Sequence, residues 1–285
     1  MLRTFDRILG LNARNERIAR RNPHRSIRLV DDKHATKQAL EAVGAPAAPT
    51  IALVRSWRQA RRLDWDALPD CWALKPNQSL GGSGIMLAAG RRDGAWHSGS
   101  GRPIAPEQVA EHLRFILDGE FSPRDRDVAL FEPLLRAHPD LGRLSYQGLP
   151  DVRVICHDDR PKLAMLRLPT AASGGRANLH QRAIGAAVDL GSGRVTRAWS
   201  GRDRVTSHPD SGEELIGAVV PHWDSVVEAA ARCAGATGLR YLGADVVVDE
   251  RLGPVILEVN ARPGLQIQNV TGHGLAETVE LEVVS

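Results

Sequence analysis

The chain has only three cysteines, Cys71, Cys156 and Cys233, scattered over 285 residues with no CxxC pair. That set builds neither a disulfide framework nor a zinc site, and it suits a reducing compartment. No apolar run approaches the roughly 20 residues that span a bilayer. The first residues, Met1-Leu2-Arg3-Thr4-Phe5-Asp6, lack the apolar segment of a signal peptide. The expectation is a cytoplasmic protein. Aromatic content is 4%, and the six tryptophans read as packing residues rather than stacking platforms. Three motifs are also missing. Without GxxxxGK[ST] there is no P-loop, and without GxGxxG after a strand there is no dinucleotide fingerprint. Without GxSxG there is no nucleophile elbow.

What remains is ordinary for a globular chain, at 42% hydrophobic and 25% charged residues. The length suits one large domain or two to three packed lobes. A net charge of +3 does not imply nucleic-acid binding. The charge is uneven, however, because residues 1–28 carry eight arginines against Asp6 and Glu16. Phe5, Ile8 and Leu9 form one apolar helix face beside them. The first reading of this segment is a solvated helix packed on the main body; a docking surface for an acidic partner or a membrane is the alternative.

Periodicity and turn residues give alternating strands and helices. A helix is expected from Lys33 to Val43 after Asp31-Asp32, ended by Gly44 and Pro46. Strands are expected at Ile51–Val54, Cys71–Lys75, Ile85–Ala88, Val128–Phe131, Val152–Cys156 and Leu163–Leu168. A short helix is expected at Trp57–Arg62, and a helix at Glu107–Asp118 after Pro106. A loop spans Pro169 to Arg182, and a hairpin joins Val188–Leu190 to Val195–Trp199. Trp223–Gly238 reads as a helix, and a short helix follows Gly274. Paired strands with intervening helices favour α+β packing over a doubly wound sheet.

Two segments carry chemistry. In Leu257-Glu258-Val259-Asn260-Ala261-Arg262-Pro263-Gly264-Leu265, Glu258 and Asn260 share one strand face before a turn. Asp245 stands thirteen residues before Glu258 in a second apolar run. Oxygen ligands of this kind suit magnesium bridging substrate phosphates; a solvent-facing edge acid and a paired structural carboxylate are the plain alternatives. The other segment runs from Trp72 to Ile85 and joins Lys75 to the turn Gly81-Gly82-Ser83-Gly84. A lysine and unobstructed backbone N–H groups suit phosphate, although a simple hairpin gives the same pattern.

Taken together, Lys75 with its glycine loop, Glu132-Pro133 and Asp245…Glu258-Val259-Asn260 resemble the ATP-grasp superfamily of carboxylate–amine ligases. Further matching pieces are Asp32-Lys33…Lys37 before Gly44-Ala45-Pro46, Asp151-Val152-Arg153, and Arg176-Ala177-Asn178-Leu179-His180. The branch resembled is that of the ribosomal-protein glutamate ligase and the alpha-L-glutamate ligase-like proteins.

The resemblance implies an α+β ATP-grasp fold in which two lobes clasp ATP. It implies a shortened region ahead of them, with a basic segment at 1–30 and the ATP-grasp domain at 31–285. Within that domain a smaller lobe covers about 50–135 and a C-terminal lobe about 136–285. It also implies roles. Lys33 and Lys75 contact ATP phosphates, and Gly81, Gly82, Ser83 and Gly84 close over them. Glu132, Pro133 and Leu134 hold the adenine by a backbone edge. Asp151 reaches the ribose or substrate side, Arg176 and Asn178 stand near the phosphates, and Asp245, Glu258 and Asn260 hold Mg2+, with Mn2+ as an alternative ion. Arg167, Lys75 and Arg262 are the catalytic cations. Arg153 is a substrate-side or structural ion-pair residue, and His180 a hydrogen-bonding structural one.

The implied reaction joins a carboxylate to an amine, with L-glutamate or another amino acid as the leading substrate. Ala177 stands where the glutamate-ligase pattern has serine, and a sugar-transfer-associated class has a similar shortened start. A protein partner or second subunit would complete the acceptor site. A phosphotransferase and a nucleotide-binding scaffold are the rival classes.

Overall fold

The computed structural model describes residues 7–79 and 82–279. After α1 (Leu11–Arg17), α2 (His24–Val30) and α3 (Lys33–Ala42), the chain sorts into two compact units. One holds residues 32–34 and 48–135. The other joins residues 7–31, 35–47 and 136–279.

The smaller unit contains β1 (Ala52–Val54), α4 (Trp57–Ala60), β2 (Trp72–Pro76) and β3 (Met86–Ala88). It continues through β4 (Gly90–Arg92), β5 (Ala95–His97), β6 (Pro103–Ile104), α5 (Pro106–Leu117) and β7 (Ala129–Pro133). An antiparallel sheet runs β1-β7-β2-β3, and β4, β5 and β6 form a second sheet. The expected hairpin around the glycine turn is present as β2–β3, with Trp72 opposite Ala88. Strand alternation sends Trp72 and Leu74 into the core against Val109, Leu113 and Ile116 of α5. The Trp72 ring meets Trp96 and Phe131 edge-on at 5.5 and 5.3 Å, so these aromatics do pack. The β4–β6 sheet escapes sequence reading because strands of two or three residues offer no periodicity.

In the larger unit, α6 (Pro139–Gly142) precedes β8 (Asp151–His157), β9 (Arg160–Leu168), β10 (Ile184–Val188), β11 (Val195–Ser200) and β12 (Asp203–Val205). Then come α7 (Trp223–Thr237), β13 (Tyr241–Asp249), β14 (Gly253–Asn260), α8 (Gln266–Thr271) and α9 (Leu275–Thr278). One antiparallel seven-stranded sheet runs β12-β11-β10-β9-β8-β13-β14. Helix α7 ends where expected, with Gly238 left-handed at φ 69°.

The sheet is covered on both faces. Val226, Ala230 and Cys233 of α7 pack on Val154, Leu166 and Ala244. On the opposite face Leu9, Ile18, Ile267 and Val270 pack on Ile155, Met165 and Tyr241. Asp151, Arg153, Arg167 and Asp245 share the parity of this second set, so alternation puts them on its face. Among the described residues no helix is long and apolar enough to cross a membrane.

Candidate functional site

Strand β13 is buried along its whole length and rich in valine, which makes Asp245 a costly residue there. The register explains its survival. Asp245 lies opposite Glu258 on β14 and opposite Arg153 on β8. Arg153 donates from Nε and Nη2 to the two Asp245 oxygens at 2.7 and 2.6 Å, a bidentate fork. Arg167 on β9 stands opposite Asp151 on β8. It donates to Asp151 at 2.6 and 2.8 Å, and its Nη2 also lies 2.8 Å from Asp245 Oδ2. Two cations and two anions thus alternate across three strands. All four side chains are largely buried, at 3–14% exposure.

These neighbours divide the two acids. For Asp245, burial opposes ionisation, but Arg153 and Arg167 together outweigh it and hold the carboxyl below its ordinary range. For Asp151, burial dominates and the nearby Asp245 charge adds to it. Together they push the carboxyl up to about 6 despite Arg167. Arg167 itself is held firmly protonated between the two carboxylates, against its own burial.

The other two members of the expected metal set flank this network. Asn260 Nδ2 lies 3.5 Å from Asp245 Oδ2. Glu258 is half-buried and its side chain, among the described residues, makes no hydrogen bond or ion pair. Among the described residues Asp245 Oδ1 accepts only from Arg153, which leaves it a lone pair. The oxygens of Glu258, Asn260 and Asp245 therefore fit a hard cation that takes its other ligands from phosphate and water. Among the described residues no group of three or more His, Cys, Asp or Glu could hold a metal ion, so this set offers two carboxylates and an amide.

In the smaller unit, Lys75 and Glu132 stand diagonally across β2 and β7 on the face away from the aromatic core. Their side chains meet at 2.7 Å, at 14% and 4% exposure. Lys33 Nζ donates to the backbone carbonyl of Ser79 at 2.7 Å. Asn77 Oδ1 accepts from the His34 backbone, and Asp127 accepts from Gln78 and Val128. These buried polar groups anchor the base of the glycine turn. Burial raises the Asp127 carboxyl above its ordinary range, against the backbone donors. Gly82 and Gly84 are left-handed, at φ 76° and 73°, and Ser83 is exposed. Gly81 lies outside the described residues.

The remaining expected site residues lie on turns and at strand ends. Asn178 caps a turn at Leu179–Gln181, its side chain accepting from the His180 backbone at 3.1 Å. Arg176 and Arg262 are exposed, and Pro133 and Leu134 are half-buried. Of the two readings of Arg153, substrate-side or structural ion pair, its salt bridge to Asp245 matches the second. Asn77 and Ser79 were missed because short polar residues beside a glycine turn read as loop, and Asp127 because it joins them from 49 residues beyond Gln78.

The family model described as sugar-transfer associated ATP-grasp matches residues 12–283. Among solved structures, D-alanine–D-alanine ligase from Bacillus anthracis complexed with ATP aligns at a TM-score of 0.51 and 14% identity. That alignment covers 85% of this chain and 58% of the ligase. ATP-grasp ligase PsnB complexed with minimal precursor aligns at 0.46 and 18% identity, covering 89% and 60%. D-cycloserine synthetase DcsG aligns at 0.47 and 13%, covering 86% and 66%. The chain thus spans about three-fifths of the length of the first two. No curated protein matches the chain. None of these matches singles out the glutamate-ligase branch. The chain belongs to the sugar-transfer-associated ATP-grasp family and has the α+β ATP-grasp fold.

Proposed function

We propose that this member of the sugar-transfer-associated ATP-grasp family is an ATP-dependent carboxylate–amine ligase working through an acylphosphate. The observation that carries the reading is Asp245 opposite Glu258 beside Asn260, backed by Arg153 and Arg167. This places oxygen donors and buried guanidinium groups on one sheet face, where charge on a phosphoryl group is held without reorganisation.

The roles follow. Lys75, seated against Glu132, and Lys33, seated on the loop base, hold nucleotide phosphate with the backbone of Gly82–Gly84. Glu132, Pro133 and Leu134 form the strand end that holds the base. Glu258, Asn260 and Asp245 hold Mg2+, or Mn2+, which when bound neutralises phosphate oxygens. A substrate carboxylate oxygen attacks the γ-phosphorus and ADP leaves. An amine then attacks the acyl carbon, and phosphate leaves with loss of a proton. Arg167 steadies the charge on the transferred group. The exposed guanidinium groups of Arg262 and Arg176 are free to meet an anionic substrate, and L-glutamate is the first amino acid to test.

The decisive experiment supplies ATP, Mg2+, an 18O-labelled carboxylate and an amine. Amide product with 18O carried into the released phosphate supports the ligase. A phosphorylated product that persists in the presence of amines identifies a phosphotransferase instead. Nucleotide binding with neither product identifies a nucleotide-binding scaffold, and no nucleotide binding at millimolar Mg2+ overturns all three readings.

A further inference from the structure

We propose that the segment from Leu9 to Asn22 is a brace that positions Glu258, Asn260 and the turn after them, with Asn22 as its central positioning residue. The proposal builds on the ligase reading above.

The β13–β14 ladder ends at Gly243 opposite Asn260, so no backbone pairing fixes the two strands beyond that point. Asn22 supplies the missing rung. Its amide nitrogen donates to the carbonyls of Tyr241 at 2.7 Å and Ala261 at 3.2 Å. Its amide oxygen accepts from the backbone of Arg240 and Tyr241, both at 2.9 Å. Both N–H groups and both lone pairs are used, and the side chain is buried. One side chain therefore ties the start of β13 to the residue that follows Asn260.

Two more clamps lie just past it. Arg14, 2% exposed, donates from Nη1 to the Pro263 carbonyl at 2.7 Å, and its guanidinium lies 5.9 Å from the Tyr241 ring centroid. Pro263 in turn sits against Gly243, where any Cβ would collide with the proline ring. Leu9 and Gln268 exchange two bonds, from the Leu9 backbone to Oε1 at 2.9 Å and from Nε2 to the Leu9 carbonyl at 3.0 Å. The clamps at Ala261, Pro263 and Gln268 bracket Arg262 and Gly264, and they begin one residue after Asn260.

Apolar packing of Ile18 and Ala19 would be enough to hold this segment on the sheet. Seven directional bonds do more. Two reach the Ala261 and Pro263 carbonyls just past β14, three hold the start of β13 beside it, and two hold Gln268 on α8. Together they fix the lateral position of the strand that carries the oxygen ligands. Loss of groups that orient metal ligands costs about 10- to 100-fold in metal affinity or activity.

The test is Mn2+ binding in the presence of ADP, read by electron paramagnetic resonance on the full chain, alongside thermal melting. Asn22→Ala is expected to raise the Mn2+ dissociation constant about 10- to 100-fold. The control is Leu215→Ala, which removes a buried side chain from the core on the opposite face of the sheet. It is expected to lower the melting temperature and leave the dissociation constant unchanged. Arg14→Met keeps the stem packing and loses the Pro263 bond; it serves as the second variant if Asn22→Ala does not fold. Wild-type affinity in whichever variant is folded overturns the brace. If the wild-type chain itself binds no Mn2+ with ADP, the ligase reading fails first and takes the brace with it.

Discussion

Arg167 and Asp245 meet at 2.8 Å although their strands are not neighbours, since β8 lies between β9 and β13. Only a side chain as long as arginine's reaches across an intervening strand, and Arg167 grips Asp151 on the way.

Arg167→Ala therefore leaves Asp151 buried without its guanidinium partner and leaves Asp245 with Arg153 alone. The expected cost is about 3–5 kcal/mol in urea unfolding, together with a fall in turnover on the order of a hundred- to thousand-fold. The pair Arg167→Gln with Asp151→Asn removes one charge of each sign and is expected to recover most of the stability while turnover stays low. Turnover that returns with stability would make Arg167 purely structural.

Asp245 and Glu258 face each other but differ in their surroundings, so their amide variants are expected to diverge. Asp245→Asn removes the anion between Arg153 and Arg167 and is expected to cost about 3 kcal/mol or more. Glu258→Gln breaks no bond to another described residue and is expected to melt within a few degrees of wild type. Its Mn2+ affinity in the presence of ADP falls at least tenfold. Equal melting losses in the two variants would contradict this assignment.

Gly82 and Gly84 are both left-handed, yet a Cβ at Gly82 meets only open space beyond Ile85, whereas at Gly84 it runs into Phe121 and Pro76. Gly82→Ala should cost about 1 kcal/mol from backbone strain alone. Gly84→Ala adds a clash to the strain and should cost about 2–4 kcal/mol. Chemical denaturation of the two variants compares them directly.

The Asp151 carboxyl, raised to about 6 by burial, is ionised at a cost in the folded state. Its unfolded value is about 3.9. The cost is absent below about pH 4 and full above about pH 6, so this group's contribution to stability falls as pH rises through that window. Asp151→Asn does not titrate. The stability of wild type relative to this variant should therefore drop by about 3 kcal/mol between pH 4 and pH 7. A flat difference across that range would mean that Asp151 has an ordinary carboxyl.

Lys75→Met is expected to weaken ADP binding about tenfold or more, measured by calorimetry, and to leave Glu132 as a buried acid without its lysine. Unchanged ADP affinity would assign Lys75 to Glu132 alone.

Much of the fold can be read from the chain itself. The helix stop at Gly238, the β2–β3 hairpin around its glycine turn and the acid-bearing β13–β14 pair follow from local periodicity and turn chemistry. Of the site, the identities of Lys75, Asp245, Glu258 and Asn260 were visible as polar residues set in apolar strands. Arg153, Arg167 and Asp151 were singled out too, but their network with Asp245 was not visible. Arg153, Arg167 and Asp151 lie 92, 78 and 94 positions from Asp245 in the chain, and no short-range pattern links residues so far apart.

The sequence by itself determined strand parity, and with it that Glu258 and Asn260 share a face, because side-chain alternation is a local property of the backbone. It also determined where turns fall, through glycine and proline. Only the tertiary structure decided strand order, and strand order decides which charges are neutralised. The same holds for the basic start of the chain. Composition offered its arginines as a solvated or docking surface, yet Arg14 is buried against Pro263 and Asn22 between two strands. A buried donor takes the partner that packing puts within reach, and that partner lies more than 200 residues away in the chain.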